Sequence, residues 1–313
     1  MPLTLLEASK LVSGEVKRSA IIEMFPRNSD LLAALSFIDV PGGAYVYNRE
    51  GKLPGVAFRG FNEGYTESVG VINPEAEILR IVGGELDVDT AIMKTRGAGV
   101  RSSQEAMKVK AKTLYLADRL VNGDSETDPR EFDGLRKRIT GKQLMAGNGS
   151  GTAGSGTSGA LSIDTLDEAI DETESPTHLV MSKALRRRLT RAAKNTTIAG
   201  EITYTTDSFG RQVTMYNDLP ILLPDVNDKG ARIIDFNEAG PDAAANTASI
   251  YVVSIGDGKI VGLQNGIMEV RDLGELESKP AYRTRVEWLV GLAVMHGRAA
   301  TRLQGITDAA FVA

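Results

Sequence analysis

The sequence predicts an α+β fold with a projecting β-hairpin, and three observations carry that prediction. Strand-like and helix-like segments alternate along the chain, with periods of two and of 3.6 residues. The stretch from Pro41 to Asp89 reads as one very long hairpin that its own domain has no room to bury. Ser102 to Val121 reads as a single helix of about 30 Å, a backbone for a flat, elongated subunit.

The hairpin is the most informative of the three. Ala44-Tyr45-Val46-Tyr47 enters it, Asn48 to Gly55 is turn chemistry, and Val56 to Phe61 leaves it. A strand-rich return then runs through Val69-Gly70-Val71-Ile72 to Glu75–Asp89. Isolated hairpins are marginal in water, and a long open edge invites another chain. A chain with such an arm is expected to hold a neighbour with it, as an assembly protein rather than an enzyme.

Before the hairpin, Thr4 to Phe25 has a helical pattern, with Gly14 breaking it and Pro26 ending it. Asp30 to Phe37 reads as a second, short helix capped by Ser29 or Asp30. In the long helix, Ser102-x-x-Glu105 has the form of a capping box. Met107, Ala111, Leu114 and Val121 make its apolar stripe, with Lys108, Lys110 and Lys112 off it. Gly141 to Gly159 is rich in Gly and Ser, and reads as a flexible crossing at a domain boundary. Beyond it the expected elements are a helix at Ile163–Ile170, a strand at His178–Met181 and a helix at Lys183–Lys194. Short strands follow at Gln212–Tyr216, Ile221–Leu223, Arg232–Phe236, Ser249–Ile255, Lys259–Gln264 and Ile267–Val270. Tyr282 to Met295 reads as a long strand, Arg283, Arg285 and Glu287 alternating with Thr284, Val286 and Trp288. It should pair with the return near Glu75–Asp89.

Composition narrows the function classes. A chain of 313 residues, 42% hydrophobic and 25% charged, has the make-up of an ordinary globular protein of one large or two average domains. The absence of cysteine excludes disulfides, thiolate chemistry and cysteine metal sites. A net charge of −5 argues against a surface that binds duplex nucleic acid all over, while leaving an inner basic patch open. The first residues show no basic segment followed by an apolar run, so no secretion signal is expected. No apolar stretch is long enough to span a bilayer, and no membrane partner is expected.

The chemical motifs resolve into ordinary surface and turn chemistry. Gly154-Ser155-Gly156-Thr157-Ser158-Gly159 spells a dinucleotide fingerprint, but a Gly/Ser tract precedes it and no acid ends the next strand. It reads as linker, and a nucleotide-dependent enzyme using Gly154–Gly159 is the rival from another class. Asn122, Asp124, Glu126, Asp128 and Asp133 imitate a calcium loop, with Thr127 where the turn glycine belongs. Asp164, Asp167, Glu168 and Asp171 share the wet face of an amphipathic helix. His178 and His296 are far apart and read as structural. No catalytic, cofactor-binding or metal-ligating residue is therefore assigned. Two basic clusters, Arg136-Lys137-Arg138 and Arg186-Arg187-Arg188 with Arg191, fit phosphates, acidic neighbours or plain solvent.

Taken in order, four stretches carry a resemblance: AYVYNREGKLPGVAFRGFNEGYTESVG, the Ser102–Val121 helix with EFDGLRKRI, SIYVVSIGDGKIVGLQNG, and YRTRVEWLVGLAVMHGRAATRLQGI. The chain resembles the major capsid proteins of tailed bacteriophages, whose HK97-like fold encapsulins share. The resemblance implies an α+β, HK97-like capsid fold in four parts. Residues 1–40 would be an N-terminal arm and 41–71 an extended loop (the E-loop) lying over an adjacent subunit. Residues 72–140 and 275–313 would form a discontinuous peripheral domain with a long spine helix, and 141–274 an axial domain. It implies a structural, non-catalytic protein that assembles into pentamers and hexamers of an icosahedral head, built in the host cytoplasm and enclosing double-stranded DNA. A portal, a decoration protein and a scaffolding protein (or prior cleavage, since the sequence opens close to the arm) would be its partners. The lysine–asparagine crosslink of one branch has no assignable residues here, and Lys52 reads as a turn lysine. Arg49, Glu50, Lys52, Arg59, Glu63 and Glu67 would set the register of the arm on its neighbour. An encapsulin-type compartment with protein cargo is the alternative within the same fold.

Overall fold

The computed structural model describes residues 29–96, 99–147, 156–192, 202–206 and 212–312. The helix expected at Thr4–Phe25 lies outside them, as do residues 148–155 of the Gly/Ser tract. The helices are α1 (Asp30–Ala34), α2 (Thr90–Arg96), α3 (Gly99–Asn122), α4 (Leu135–Arg138), α5 (Ile163–Glu172) and α6 (Lys183–Ala192). The first strands are β1 (Phe37–Asp39), β2 (Ala44–Lys52), β3 (Val71–Ile78), β4 (Arg80–Asp89) and β5 (Leu144–Ala146). Next come β6 (His178–Val180), β7 (Ile202–Thr206), β8 (Gln212–Tyr216) and β9 (Leu219–Leu222). The last are β10 (Thr247–Val253), β11 (Ile260–Glu275), β12 (Ala281–Val294) and β13 (Ala300–Thr307).

These strands make three sheets: β1-β11-β12-β4, β5-β13-β10-β6-β9-β8-β7, and the isolated pair β2-β3. The long C-terminal strand pairs with β4 as its alternation predicts, from Ala281↔Asp89 to Val290↔Arg80. Thr284, Val286, Trp288 and Val290 face inward and are buried. On the other face Arg283 pairs with Asp87 at 2.7 Å and Arg285 with Glu85 at 2.9 Å, opposite charges facing each other across strands.

Helix α3 crosses the inward face of this sheet and buries Val109, Leu116, Ala117, Leu120 and Val121. The stripe is rotated from the expected one. Met107 is 54% exposed, and Lys112 lies buried instead. The sheet beneath, rather than the tally of apolar letters, decides which side turns in. Ser102 is no cap, because the helix starts before it at Gly99. Glu105 instead accepts from Thr284 Oγ1 at 2.8 Å and pairs with Arg101 at 3.2 Å.

The first short helix stops at Ala34, not Phe37. Phe37 begins a strand parallel to β11, and its ring lies 5.2 Å from that of Trp288. Gly262 makes the approach possible: a Cβ there would sit 2.5 Å from the Phe37 ring.

In the seven-stranded sheet, β10 is buried along its whole length between β13 and β6. Helices α5 and α6 contribute Leu166, Ala169, Leu185 and Leu189 to its core. Several expectations change here. Residues 300–307, grouped by sequence with the first unit, form a central strand of this sheet. The strands expected at Lys259–Gln264 and Ile267–Val270 are one strand, β11, of the four-stranded sheet, which pairs with β12 on both sides of an irregularity between Asn265 and Glu269. Arg232–Phe236 is not a strand and makes only a bridge, Val226↔Arg232. Leu144–Ala146, inside the expected flexible crossing, pairs in parallel with β13. Sheet membership in this region depends on long-range pairing that local alternation does not encode.

Candidate assembly surface

The hairpin is real, and its geometry differs from the expected one. β2 and β3 pair from Ala44↔Ile78 to Lys52↔Val71. The expected turn at Asn48–Gly55 is therefore strand as far as Lys52, and Val56–Phe61 is not the returning strand. The turn-forming Gly51 is absorbed at a register shift between Glu50 and Lys52, a bulge that lets the strand run on. Residues 53–70 form the tip, outside any strand.

The tip has its own small set of bonds. Gly60 N–H donates to Glu63 Oε2 at 2.8 Å, Arg59 Nη1 donates to the Glu63 carbonyl at 3.1 Å, and Ser68 Oγ donates to the Gly55 carbonyl at 3.0 Å. The Arg59 guanidinium also lies 5.4 Å from the Tyr65 ring centroid. Its apolar side chains have no such partners. Val56, Phe58 and Phe61 are 96%, 107% and 103% exposed, and Val46 lower on the arm is 66% exposed. Burying one such side chain gains roughly 1.5–3 kcal/mol, which this arrangement leaves unrealised within the subunit.

The base, by contrast, is fastened. Tyr45 and Tyr47 stack at 5.9 Å, and Tyr47 Oη donates to the Val294 carbonyl at 3.1 Å. Burial raises the Tyr47 pKa above its ordinary value, so the hydroxyl keeps its proton and stays a donor. Arg138 on α4 grips the Glu77 carboxylate with both terminal nitrogens, Nη2 at 2.7 Å from Oε2. The alternation at Ala44-Tyr45-Val46-Tyr47 could have flagged two tyrosines on one face; nothing in the letters pairs Arg138 with Glu77.

The arm residues singled out by sequence thus divide. Arg59 and Glu63 brace the tip. Arg49 lies at the base near Gly297, in the cleft that Tyr47, Glu77 and Arg138 also line. Glu50, Lys52 and Glu67 are exposed. In the first basic cluster, Arg138 holds Glu77, Lys137 pairs with Asp124 at 2.9 Å and Glu126 at 2.6 Å, and Arg136 lies 3.9 Å from Glu238. In the second, Arg188 pairs with Asp308, while Arg187 and Arg191 are exposed and Arg186 half-buried.

The remaining motifs are occupied by the fold. Asp124 accepts from Glu126 N–H and Thr127 Oγ1, and Asp133 accepts from Ser125 N–H, so the calcium-like run is a braced turn. Lys137 and these donors hold the Asp124 carboxyl down at about 2. Asp167 accepts from Tyr216 Oη at 2.8 Å. Within the glycine-rich motif, Gly154 and Ser155 lie outside the described residues. Ser158 N–H donates to Asp242, and Gly159 N–H donates to the Gly305 carbonyl. These two amides of the motif are thus taken up within the fold.

No protein-family model and no curated protein matches the sequence. Solved structures do match in three dimensions. A chain of the holo-SrpI encapsulin complex from Synechococcus elongatus PCC 7942 superposes with a TM-score of 0.66 at 17% identity, over 90% of this chain and 89% of that one. The capsid of an empty GTA particle gives 0.59 at 12% identity, over 91% and 90%. A structure of Mycobacterium phage Bobi gives 0.59 at 11%, over 88% and 89%. The chain has the HK97-like capsid fold. Its projecting β2-β3 hairpin and its long helix α3 belong to that α+β architecture. At these identities the likeness is one of fold.

Proposed function

We propose that this chain is the repeating subunit of a closed icosahedral shell, built as pentamers and hexamers, and that its arm is the part that holds the neighbour. The observation that carries the reading is the arm itself: a ribbon fastened at its base and bare of cover at Val56, Phe58 and Phe61. The likeness to encapsulin and capsid structures supports it. Single contacts between subunits stay reversible, because ordering and desolvation offset most of the burial. Many contacts per subunit then make the closed shell persist. In this reading the protein is structural, not an enzyme.

The phage form of the reading is a head assembled in the host cytoplasm around double-stranded DNA, with a scaffolding protein, a portal and a decoration protein as partners. Arg187 and Arg191 are exposed and suit non-specific phosphate contact. The structural likeness to an encapsulin favours a second reading, a compartment with protein cargo. Replacing residues 53–70 by an Asn-Gly turn tests the shared claim. The shortened chain should stay folded and form no shells under negative-stain microscopy; normal particles would remove the arm from the mechanism. Nuclease-protected double-stranded DNA in particles from the native source separates the two forms.

A further inference from the structure

A groove of about 400 Å³ runs between residues 80–84 of β4 and the Lys108–Tyr115 stretch of α3. Gly84 opens it. A Cβ there would lie 2.7 Å from Lys108 Nζ, so that ammonium hangs directly over the strand. Lys112, one turn further along α3, also lines the groove and is only 8% exposed. Its Nζ lies 6.0 Å from the Trp288 ring centroid and has no hydrogen-bond partner. A buried ammonium without a partner is costly, so a group that pairs with it from the groove recovers free energy the fold leaves unrealised.

The charges around the groove do not balance. Arg119 and Glu131 neutralise each other at 2.9 Å, and Tyr115 Oη donates to the same carboxylate at 2.6 Å. That leaves Arg80, Lys108, Lys112 and Arg130 against Asp128 and Asp228. The side chains of those four cations make no hydrogen bond or ion pair among the described residues. Between them the walls are apolar, with Val82, Ala111, Phe132 and Val286. Apolar walls, a few convergent polar groups and this volume suit an organic ligand better than a bare ion.

We propose that this groove binds an organic phosphate monoester, its phosphate held by Lys108 and Lys112 and its apolar body laid against Val82, Phe132 and Val286. A phosphate monoester carries about −1.5 to −2 charge at pH 7, which answers a surplus of cations better than the single charge of a carboxylate. Lysine meets phosphate as a point charge on a flexible stem, so the two ammonium groups can follow one head group from adjacent turns of α3. The bound phosphate supplies the partner that Lys112 lacks within the subunit.

Isothermal titration calorimetry on the full chain at low salt tests this with phenyl phosphate, inorganic phosphate and benzoate. Phenyl phosphate should bind at least about tenfold more tightly than either of the others, because only it has both the dianionic head and the apolar body. Lys108→Gln and Lys112→Met should each weaken it about tenfold. Lys110→Gln, exposed on α3 and outside the groove, should change it by less than about twofold. No binding of phenyl phosphate at millimolar concentration overturns the site, as does equal weakening by Lys110→Gln. Benzoate or inorganic phosphate binding as tightly overturns the assignment of head or body. Should Lys112→Met fail to fold, Lys108→Gln against Lys110→Gln decides. The shell reading stands on the arm, so none of these outcomes touches it.

Discussion

The ammonium of Lys112 lies 6.0 Å from the ring centroid of Trp288, buried and with no hydrogen-bond partner. Burial lowers its pKa to about 7, with Glu287 pulling the other way. The unfolded chain holds this proton up to about 10.4. Between those values the unfolded state binds more protons than the folded one, so stability rises with pH from about 7 to about 10. Lys112→Met removes the group and keeps the volume. It should raise stability at pH 7 by up to about 4 kcal/mol and flatten that part of the profile. Denaturant melts of both proteins across this range give the difference directly, and parallel profiles would contradict it.

Arg302 and Glu238 form a buried pair at 2.8 Å that joins β13 to the segment before β10, and Arg302 Nε also donates to Ser249 Oγ. Arg302→Met alone should cost roughly 3–5 kcal/mol, because it strands a buried carboxylate. The double variant with Glu238→Leu should recover most of that loss. A double variant as unstable as the single would mean that the polar network, not the stranded charge, sets the cost.

Arg138→Ala should loosen the arm without unfolding the subunit. It removes both bonds to Glu77 and leaves Tyr47 as the remaining anchor. The expected cost is about 1–3 kcal/mol. Hydrogen exchange should quicken along β2 and β3 while β10 stays protected. Uniform loss of protection would instead mark Arg138 as a residue of the global core.

Phe58→Ser/Phe61→Ser should leave the melting of the isolated subunit within about 0.5 kcal/mol of the parent, since neither ring is covered. Light scattering should show weaker assembly at equal concentration. A large drop in subunit stability would show that the rings are covered within the monomer.

Legibility in the sequence followed the range of the interactions. The strand at 281–294 was plain because one face is apolar and the other charged, and a period of two survives whatever the partner is. The hairpin was legible as a hairpin, but its turn was misplaced: Asn48-Arg49-Glu50-Gly51 has turn letters, and register against Val71–Ile78 absorbs them. The six arm residues were picked for charge alone, whereas the arm also leaves Val46, Val56, Phe58 and Phe61 bare beside its exposed charges.

The letters by themselves fixed the alternation of strands, the long helix, the bare ribbon and the lack of any thiol, because these depend on residue type and local spacing. Tertiary structure alone decided that Lys112 lies against Trp288, that Arg138 fastens Glu77, and that Ala300–Thr307 joins the seven-stranded sheet. Each of these brings together residues far apart in the chain. Their energy comes from burial and charge pairing across that distance, and no local window of sequence contains both partners.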